Sequence, residues 1–333
     1  MISLSHINKD YRIAKREPGL KSAAKALFHK EYHIVHALQD ISLNIKDGEM
    51  VGYIGPNGAG KSSTIKIMSG ILRPDSGSCI INGRIPWKDR VNHVKEIGVV
   101  FGQRSQLWWD VPVGDSFLLL KELYHIDTNK YNKRVNELSE LINIGDLLKV
   151  PARQLSLGQR MKCELGASLL HNPKILFLDE PTIGLDAVSK IAVRNFISDI
   201  NKEYKTTIIL TTHDMQDIEA MTNRIIFIGK GKILLDGTMD MLKKKYSKNK
   251  RIKVYYKGEI SLKLFQEENK VELDGIQILE HVQGRVIITV DTEVTSLSHT
   301  ISFLCSRLEV IDISITGTSA EEIVLSLYEE YAV

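Results

Sequence analysis

Cysteine is scarce in this chain of 333 residues: there are three, Cys79, Cys163 and Cys305, with no CxxC pair and no partnering histidines. That spacing excludes a disulfide framework and a Cys–His zinc site, and leaves packing thiols in a reducing compartment. No run of eighteen apolar residues occurs, so no segment can span a bilayer as a helix. The start, MISLSHINKD, lacks the basic-then-apolar order of a secretory leader. A large excess of either charge is missing too. The 44 basic and 41 acidic residues leave +3, too little to imply nucleic acid by itself. Internal repeats and low-complexity tracts are also absent. What remains, 43% hydrophobic and 26% charged, is a globular chain with room for one large domain or two. It is expected in the cytosol or on the cytosolic side of a membrane.

What is present begins as strands. MISLSHI and ALQDISLNI carry strand patterns, with a turn at Asp47-Gly48. MVGYIG then runs into PNGAGKSS, and TIKIMSGIL has helical spacing that stops before Pro74. Residues 112–172 are mostly helical in pattern, VGDSFLLLKELYHI and YNKRVNELSELINI both being amphipathic. KILFLDEP and TTIILTTHD are continuous apolar strands of the kind a parallel sheet buries on both faces, with a helix pattern over 188–203 between them. The expected class is α/β with a parallel-sheet core and a helical insertion. Near Lys243 the character changes. KKKYSKNKRIK is basic without acids and reads as a linker over 243–253. Beyond it, 254–333 reads as a small α+β domain, leaving 1–242 as the first domain.

Strand, glycine loop, helix is the order a phosphate cradle needs. Gly55, Pro56, Asn57, Gly58, Ala59, Gly60, Lys61, Ser62 and Ser63 spell GPNGAGKSS, which fits G-x-x-x-x-G-K-[ST]. Glycines let successive N–H groups point into one concavity, and the helix beginning near Lys61 adds the positive end of its dipole. Lys61 is placed to bridge the β- and γ-phosphates of a nucleotide, and Ser62 to ligate Mg²⁺.

A buried strand ending in two carboxylates, Asp179 and Glu180, is a poor structural choice unless a cation waits there. Asp179 is expected to hold Mg²⁺, and Glu180 to polarise the water that attacks the γ-phosphate. His213 ends the next apolar strand and could reach the γ-phosphate from the far side. Gln103 ends VVFGQ and could touch Mg²⁺ or that water. A further Ser/Gly/Gln turn, QLSLGQ, opens a helix about a hundred residues after the first loop. One chain alone has no obvious use for two phosphate loops.

In this order and spacing, GPNGAGKSS, Gln103, LSLGQ, ILFLDEP, GLD and His213 resemble the ABC ATPases over residues 1 to about 240. The resemblance implies a P-loop NTPase fold with a parallel-sheet core, an antiparallel β subdomain and a helical subdomain at about 104–172. It implies ATP and Mg²⁺, and two such domains packed head to tail. Ser156, Gly158 and Gln159 would then close on ATP held by a partner chain, with Asp186 of GLD at the seam. Leu157 departs from the glycine usual there and puts the packing of the turn in question. Tyr11 falls where the family stacks an aromatic on adenine, although a strand-end tyrosine would also fit the sequence.

The absence of tandem domains, coiled coils and zinc inserts favours the ATPase subunit of a transporter whose permease subunits are separate chains. The tail DISITGTSAEEIVLSLYEEY is similar to that of drug- and antibiotic-type exporter subunits. Residues 12–30 suit either a basic amphipathic helix at a membrane or permease, as in polysaccharide exporters, or a solvated insertion. Trp108 and Trp109 would line a permease groove or pack in the core. The expectation is an exporter ATPase at the cytoplasmic face, paired with a second copy or a similar chain, with no nucleic acid partner. A soluble ABC ATPase acting on a ribosome or scaffold, or a slowly cycling binding module, stands as the alternative.

Overall fold

The computed structural model describes residues 1–14, 32–102, 104–246, 249–258, 274–317 and 320–331. Gln103 and residues 15–31, with the expected basic helix, lie outside the described residues. Two compact units are present, Met1–Gly237 and Thr238–Ala332.

The first unit contains β1 (Ile2–Ala14), β2 (Tyr32–Ile45), β3 (Met50–Ile54), β4 (Ser76–Ile81), β5 (Ile97–Phe101), β6 (Ile175–Asp179), β7 (Thr207–Thr211), β8 (Arg224–Gly229) and β9 (Lys232–Thr238). Six of them form one sheet in the order β5-β6-β7-β3-β8-β9. Its first five members run parallel. β9 folds back through Lys230-Gly231, where both φ angles are positive, as tight hairpin turns require. Ile175, Leu176, Phe177 and Leu178 of β6, with Ile208, Ile209 and Leu210 of β7, are at most 1% exposed. Burial on both faces explains why these strands are unbroken apolar runs. Each side chain contributes about 1.5–3 kcal/mol.

A three-stranded antiparallel sheet, β2-β1-β4, lies beside it. Ile2, Leu4 and Ile7 join Ile41 and Leu43 in one apolar cluster with Tyr53, Phe177 and Ile209 of the parallel sheet. Beyond this cluster β1 and β2 continue as a ribbon whose residues 10–14 and 32–36 are all exposed.

The helices of this unit are α1 (Lys61–Met68), α2 (Arg90–Val94), α3 (Val113–Leu123), α4 (Thr128–Ile142), α5 (Leu157–Leu169), α6 (Ala187–Tyr204) and α7 (Met215–Met221). Helices α3 to α5 form the insertion between β5 and β6. Asp127 starts α4 by accepting from the N–H groups of Asn129 and Lys130, and Asn143 ends it in the left-handed conformation. Phe117, Leu138 and Leu165, one from each helix, are fully buried.

The second unit holds α8 (Met239–Tyr246), β10 (Asn249–Lys257), β11 (Ile276–Val282), β12 (Arg285–Asp291), α9 (Leu297–Arg307), β13 (Glu309–Thr316) and α10 (Ala320–Glu330). Its antiparallel sheet has the order β11-β12-β10-β13 and packs Ile252, Val254, Val286 and Ile288 against Phe303 and Leu304 of α9. The run 243–253, expected as a linker, is regular structure at both ends. Lys243, Lys244 and Lys245 close α8, where cations suit the helix dipole. Asn249 to Lys253 open β10. Ile252, Val254 and Tyr256 alternate into the core, the period of two that RIKVYY shows in the sequence.

Candidate active site

Strand pairing brings the carboxyl ends of four strands to one edge: Phe101 lies opposite Asp179, and Thr211 pairs with both Asp179 and Tyr53. Each strand releases its polar residues there, which is where parallel α/β sheets bind ligands.

The loop 55–60 leaves β3 on this edge. Gly60 has φ 111°, and a Cβ there would lie 2.6 Å from the carbonyl oxygen of Ala37 and 2.7 Å from Leu38 Cδ2. Only glycine lets the loop cross β2 at that distance. No side chain caps α1, whose N-cap is Gly60, so its first N–H groups remain available to an anion. Ala59 is buried and accepts from Gly231 N at 3.0 Å, which ties the loop to the β8–β9 turn. Lys61 turns back over the loop, its Nζ donating to the carbonyls of Gly55 at 2.7 Å and Pro56 at 3.0 Å. Burial lowers the Lys61 pKa, while Glu180 and Asp179 oppose that shift. Asn57 and Gly58 are exposed at the rim.

Ser62 Oγ donates to Asp179 Oδ2 at 3.2 Å, and Thr211 Oγ1 donates to Asp179 Oδ1 at 2.5 Å. Glu180 Oε1 lies 3.3 Å from His213 Nδ1, with the Glu180 side chain 23% and that of His213 60% exposed. Glu180 has φ 55°, a left-handed backbone unusual for a residue of its shape. Its N–H donates to Thr211 O at 2.9 Å. Tyr11 stands at the start of the exposed ribbon, its hydroxyl 3.3 Å from Ser63 Oγ. The structure thus gathers Tyr11, Lys61, Ser62, Ser63, Asp179, Glu180 and His213 around one edge.

A buried network beneath this edge has no counterpart in the sequence reading. Asp217 on α7 is fully buried and accepts from the hydroxyls of Thr182 and Thr212, the latter at 3.1 Å. Arg194 Nε of α6 donates to its other oxygen at 2.5 Å. Thr182 follows Glu180 by two residues and Thr212 precedes His213. One carboxylate therefore fixes both segments that carry Glu180 and His213.

Ser156, Gly158, Gln159 and Asp186 form a second group. Ser156 caps α5 in a reciprocal box: its Oγ accepts from Gln159 N at 3.2 Å, while Gln159 Oε1 accepts from Ser156 N at 3.0 Å. A Cβ on Gly158 would lie 2.3 Å from Ser189 Oγ. Asp186 caps α6 and accepts from Ser189 N and Ser189 Oγ at 2.9 and 2.7 Å, bonds that lower its pKa. Leu157 occupies space left by Gly184, where φ is 72° and a Cβ would be 3.1 Å from Leu157 Cδ2. That contact answers how the turn packs without its usual glycine. Among the described residues, no hydrogen bond joins 156–159 to 55–63. Trp108 and Trp109 are 58% and 50% exposed, so neither is a core residue.

No cluster of three or more metal-ligating residues exists among the described residues. The hydroxyl of Ser62 and the carboxylate of Asp179 are hard oxygen donors side by side. Such a pair fits Mg²⁺, which takes few protein ligands and keeps water and phosphate for the rest.

Fold and edge together define a P-loop ATPase. The family model for ABC transporters matches residues 38–183. The chain is 30% identical over 215 residues to the ABC transporter ATP-binding protein NatA of Bacillus subtilis, covering 65% of this chain and 87% of the relative. The methionine import ATP-binding protein MetN of the same species is 33% identical, covering 65% of each chain. Its linearmycin resistance ATP-binding protein LnrL is 31% identical, covering 63% of this chain and 67% of the relative. A dimeric structure of MJ0796, a bacterial ABC transporter cassette, aligns with TM-score 0.59 at 25% identity, covering 72% of this chain and 99% of that one. The chain belongs to this family: it is an ATP-binding subunit of an ABC transporter, and an ATPase.

Proposed function

We propose that two copies of this chain, or one copy and a similar chain, close head to tail around two ATP molecules and drive separate permease subunits. Two groups of residues support this reading, one at the strand edge and one at the start of α5, with no hydrogen bond between them among the described residues. The first holds a nucleotide in the same chain; the second is a capped helix start with a glycine for close approach, suited to a partner's nucleotide.

In this reading the adenine lies against Tyr11, and the loop amides from Gly55, Pro56, Asn57, Gly58, Ala59 and Gly60 surround the β-phosphate. Lys61 exchanges its carbonyl partners for phosphate oxygens. Ser62 and Asp179 would hold Mg²⁺, which supplies charge neutralisation to the phosphates when bound. Glu180 accepts a proton from the attacking water, and His213, already 3.3 Å away, orients that carboxylate and faces the γ-phosphate. Gln103 is assigned to the same γ-phosphate edge from its sequence position. Ser156, Gly158 and Gln159 serve the partner's ATP, and Asp186 the seam.

The exposed tryptophans mark the permease side. No helix among the described residues is long and apolar enough to cross a membrane, and we place the chain at the cytoplasmic face through its permease. Export is the direction we assign, on the likeness of residues 312–331 to drug-exporter subunits. A lipid, drug or similar amphipathic compound is the cargo class, a surface polysaccharide the alternative. MetN's name makes import the competing direction.

The test is a pull-down of the Glu180→Gln chain, with ATP, from detergent-solubilised membranes of its host. Multi-span proteins in stoichiometric amount support the transporter reading, and a transport assay with them fixes direction. Recovery of ribosomal or scaffold proteins instead would overturn it.

A further inference from the structure

Lys130, Lys133, Arg134 and Glu137 recur at steps of three and four along α4 and share one face of it. All four line a cleft of about 580 Å³, a size usual for small-molecule sites. Its other wall is the amino-terminal end of the parallel sheet. Lys95 comes just before β5, His171 and Asn172 before β6, and Tyr204 before β7. The nucleotide residues stand at the carboxyl ends of the same strands. Strands of five residues, rising about 3.3 Å each, put the two ends about 15 Å apart. The cleft is therefore separate from the site already described.

Arg134 is 8% exposed and held from three sides. Its Nε donates to Leu169 O at 3.2 Å, its Nη1 donates to Glu137 Oε2 at 3.3 Å, and its guanidinium lies 4.4 Å from the Tyr204 ring centroid. Nη2 makes no hydrogen bond among the described residues, yet it is not sealed from solvent. The cleft sets Lys95, Lys130, Lys133 and Arg134 against Asp127 and Glu137. Asp127 is engaged in capping α4, and Glu137 is shared between Arg134 and Lys133, the latter at 3.9 Å. Lys95 and Lys130 join no ion pair among the described residues. His171 adds no charge, since burial pushes its pKa down to about 4. A fixed guanidinium with one free nitrogen, ringed by ammonium groups in excess of the carboxylates, suits phosphate oxygens.

We propose that this cleft is a second anion site, which takes a small, multiply charged phosphate compound at the opposite end of the sheet from ATP. Arg134 Nη2 donates to a phosphate oxygen from its fixed plane, and Lys95, Lys130 and Lys133 meet further oxygens from the rim. The bound compound touches both α4 and the residues that lead into β5 and β6, so it adds a bridge between the helical insertion and the sheet. The site needs neither a partner chain nor a permease.

Calorimetric titration of pyrophosphate into the full-length Lys61→Ala chain, without Mg²⁺, tests this with the glycine loop weakened. One saturating site per chain is expected, its affinity falling as salt is added. Lys95→Glu combined with Lys130→Glu, both at exposed positions, should weaken binding by about 10-fold or more. Lys149→Glu, an exposed charge reversal outside the cleft, should change it by less than about twofold. Arg134→Lys keeps the charge without the planar fork and should weaken binding by about 10-fold. Urea unfolding of each variant without pyrophosphate separates lost binding from lost structure. Ribose 5-phosphate, titrated in the same way, distinguishes a phosphate ester from a free polyphosphate as the natural occupant, and saturable binding of either at the cleft supports the site. The absence of saturable binding would overturn the proposal. So would unchanged binding in the Lys95, Lys130 double variant, which would place the pyrophosphate elsewhere, or an equal loss in Lys149→Glu, which would leave only net charge.

Discussion

The hydroxyl of Ser62 lies 3.2 Å from Oδ2 of Asp179, although 117 positions separate the two residues in the chain. The first begins the helix after the glycine loop and the second ends a strand two places across the sheet. Thr211 holds the other oxygen of the same carboxylate from the strand between them.

That arrangement makes Thr211 measurable. Asp179→Asn is expected to lower Mg²⁺-dependent phosphate release by about 100-fold or more, and Thr211→Val by about 10-fold through loss of orientation. Mg²⁺ titration separates affinity from rate. Full activity of Thr211→Val at the parent's Mg²⁺ requirement would remove its outer role.

Glu180→Gln keeps the shape of the site and removes the proposed proton acceptor. Turnover should fall about 10²- to 10³-fold while ATP still binds, and sedimentation at saturating ATP should report a dimer. A persistent monomer would count against head-to-tail closure.

Lys61→Ala should abolish ATP binding, because the only cation turned over the loop is lost among the described residues. Tyr11→Ala should weaken binding by about 10-fold, the order of one base stacked on an aromatic ring. Titration with a fluorescent ATP analogue reads both, and undiminished binding in either variant refutes that assignment.

Asp217 is a stability residue for the catalytic edge. Asp217→Ala removes the acceptor shared by Arg194, Thr182 and Thr212 and leaves Arg194, among the described residues, only its 3.5 Å pair with Asp214, at an expected cost of about 1–3 kcal/mol. Urea unfolding checks the figure, and a loss below about 1 kcal/mol would show that the network is not holding the edge.

His171 supplies a pH signature. Its Nε2 bonds Ile97 O at 2.8 Å and its ring stacks on Tyr124 at 4.0 Å. Burial pushes its pKa down to about 4, against the bond to Ile97, with Arg134 adding to the fall. The unfolded chain therefore binds the extra proton between the ordinary imidazole range and about pH 4, and stability declines as pH falls through that window. His171→Gln should flatten the decline between pH 7 and pH 5. An unchanged slope in urea unfolding would exclude His171 as its source.

The glycine loop was legible in the sequence because Gly58 and Gly60 meet a conformational demand that few residues can, and because a strand and a helix flank them. Asp179 was legible because a carboxylate at the end of ILFL has no apolar explanation. Thr211, Asp217 and Arg194 were not. Threonine is an ordinary strand residue, and an Asp–Arg pair 23 positions apart leaves no periodic trace. The strand over RIKVYY was legible from its alternation and only its first residues were hidden in the basic run, while the tryptophan pair needed solvent exposure to decide between core and surface.

Glu180 sits in a left-handed backbone held by its N–H bond to Thr211. Asparagine tolerates that conformation better than glutamate. A chain carrying Asn at 180 would therefore resist unfolding longer than the parent while turning over far more slowly. The strained backbone thus stands where the proposed proton acceptor is needed, a position better suited to turnover than to durability.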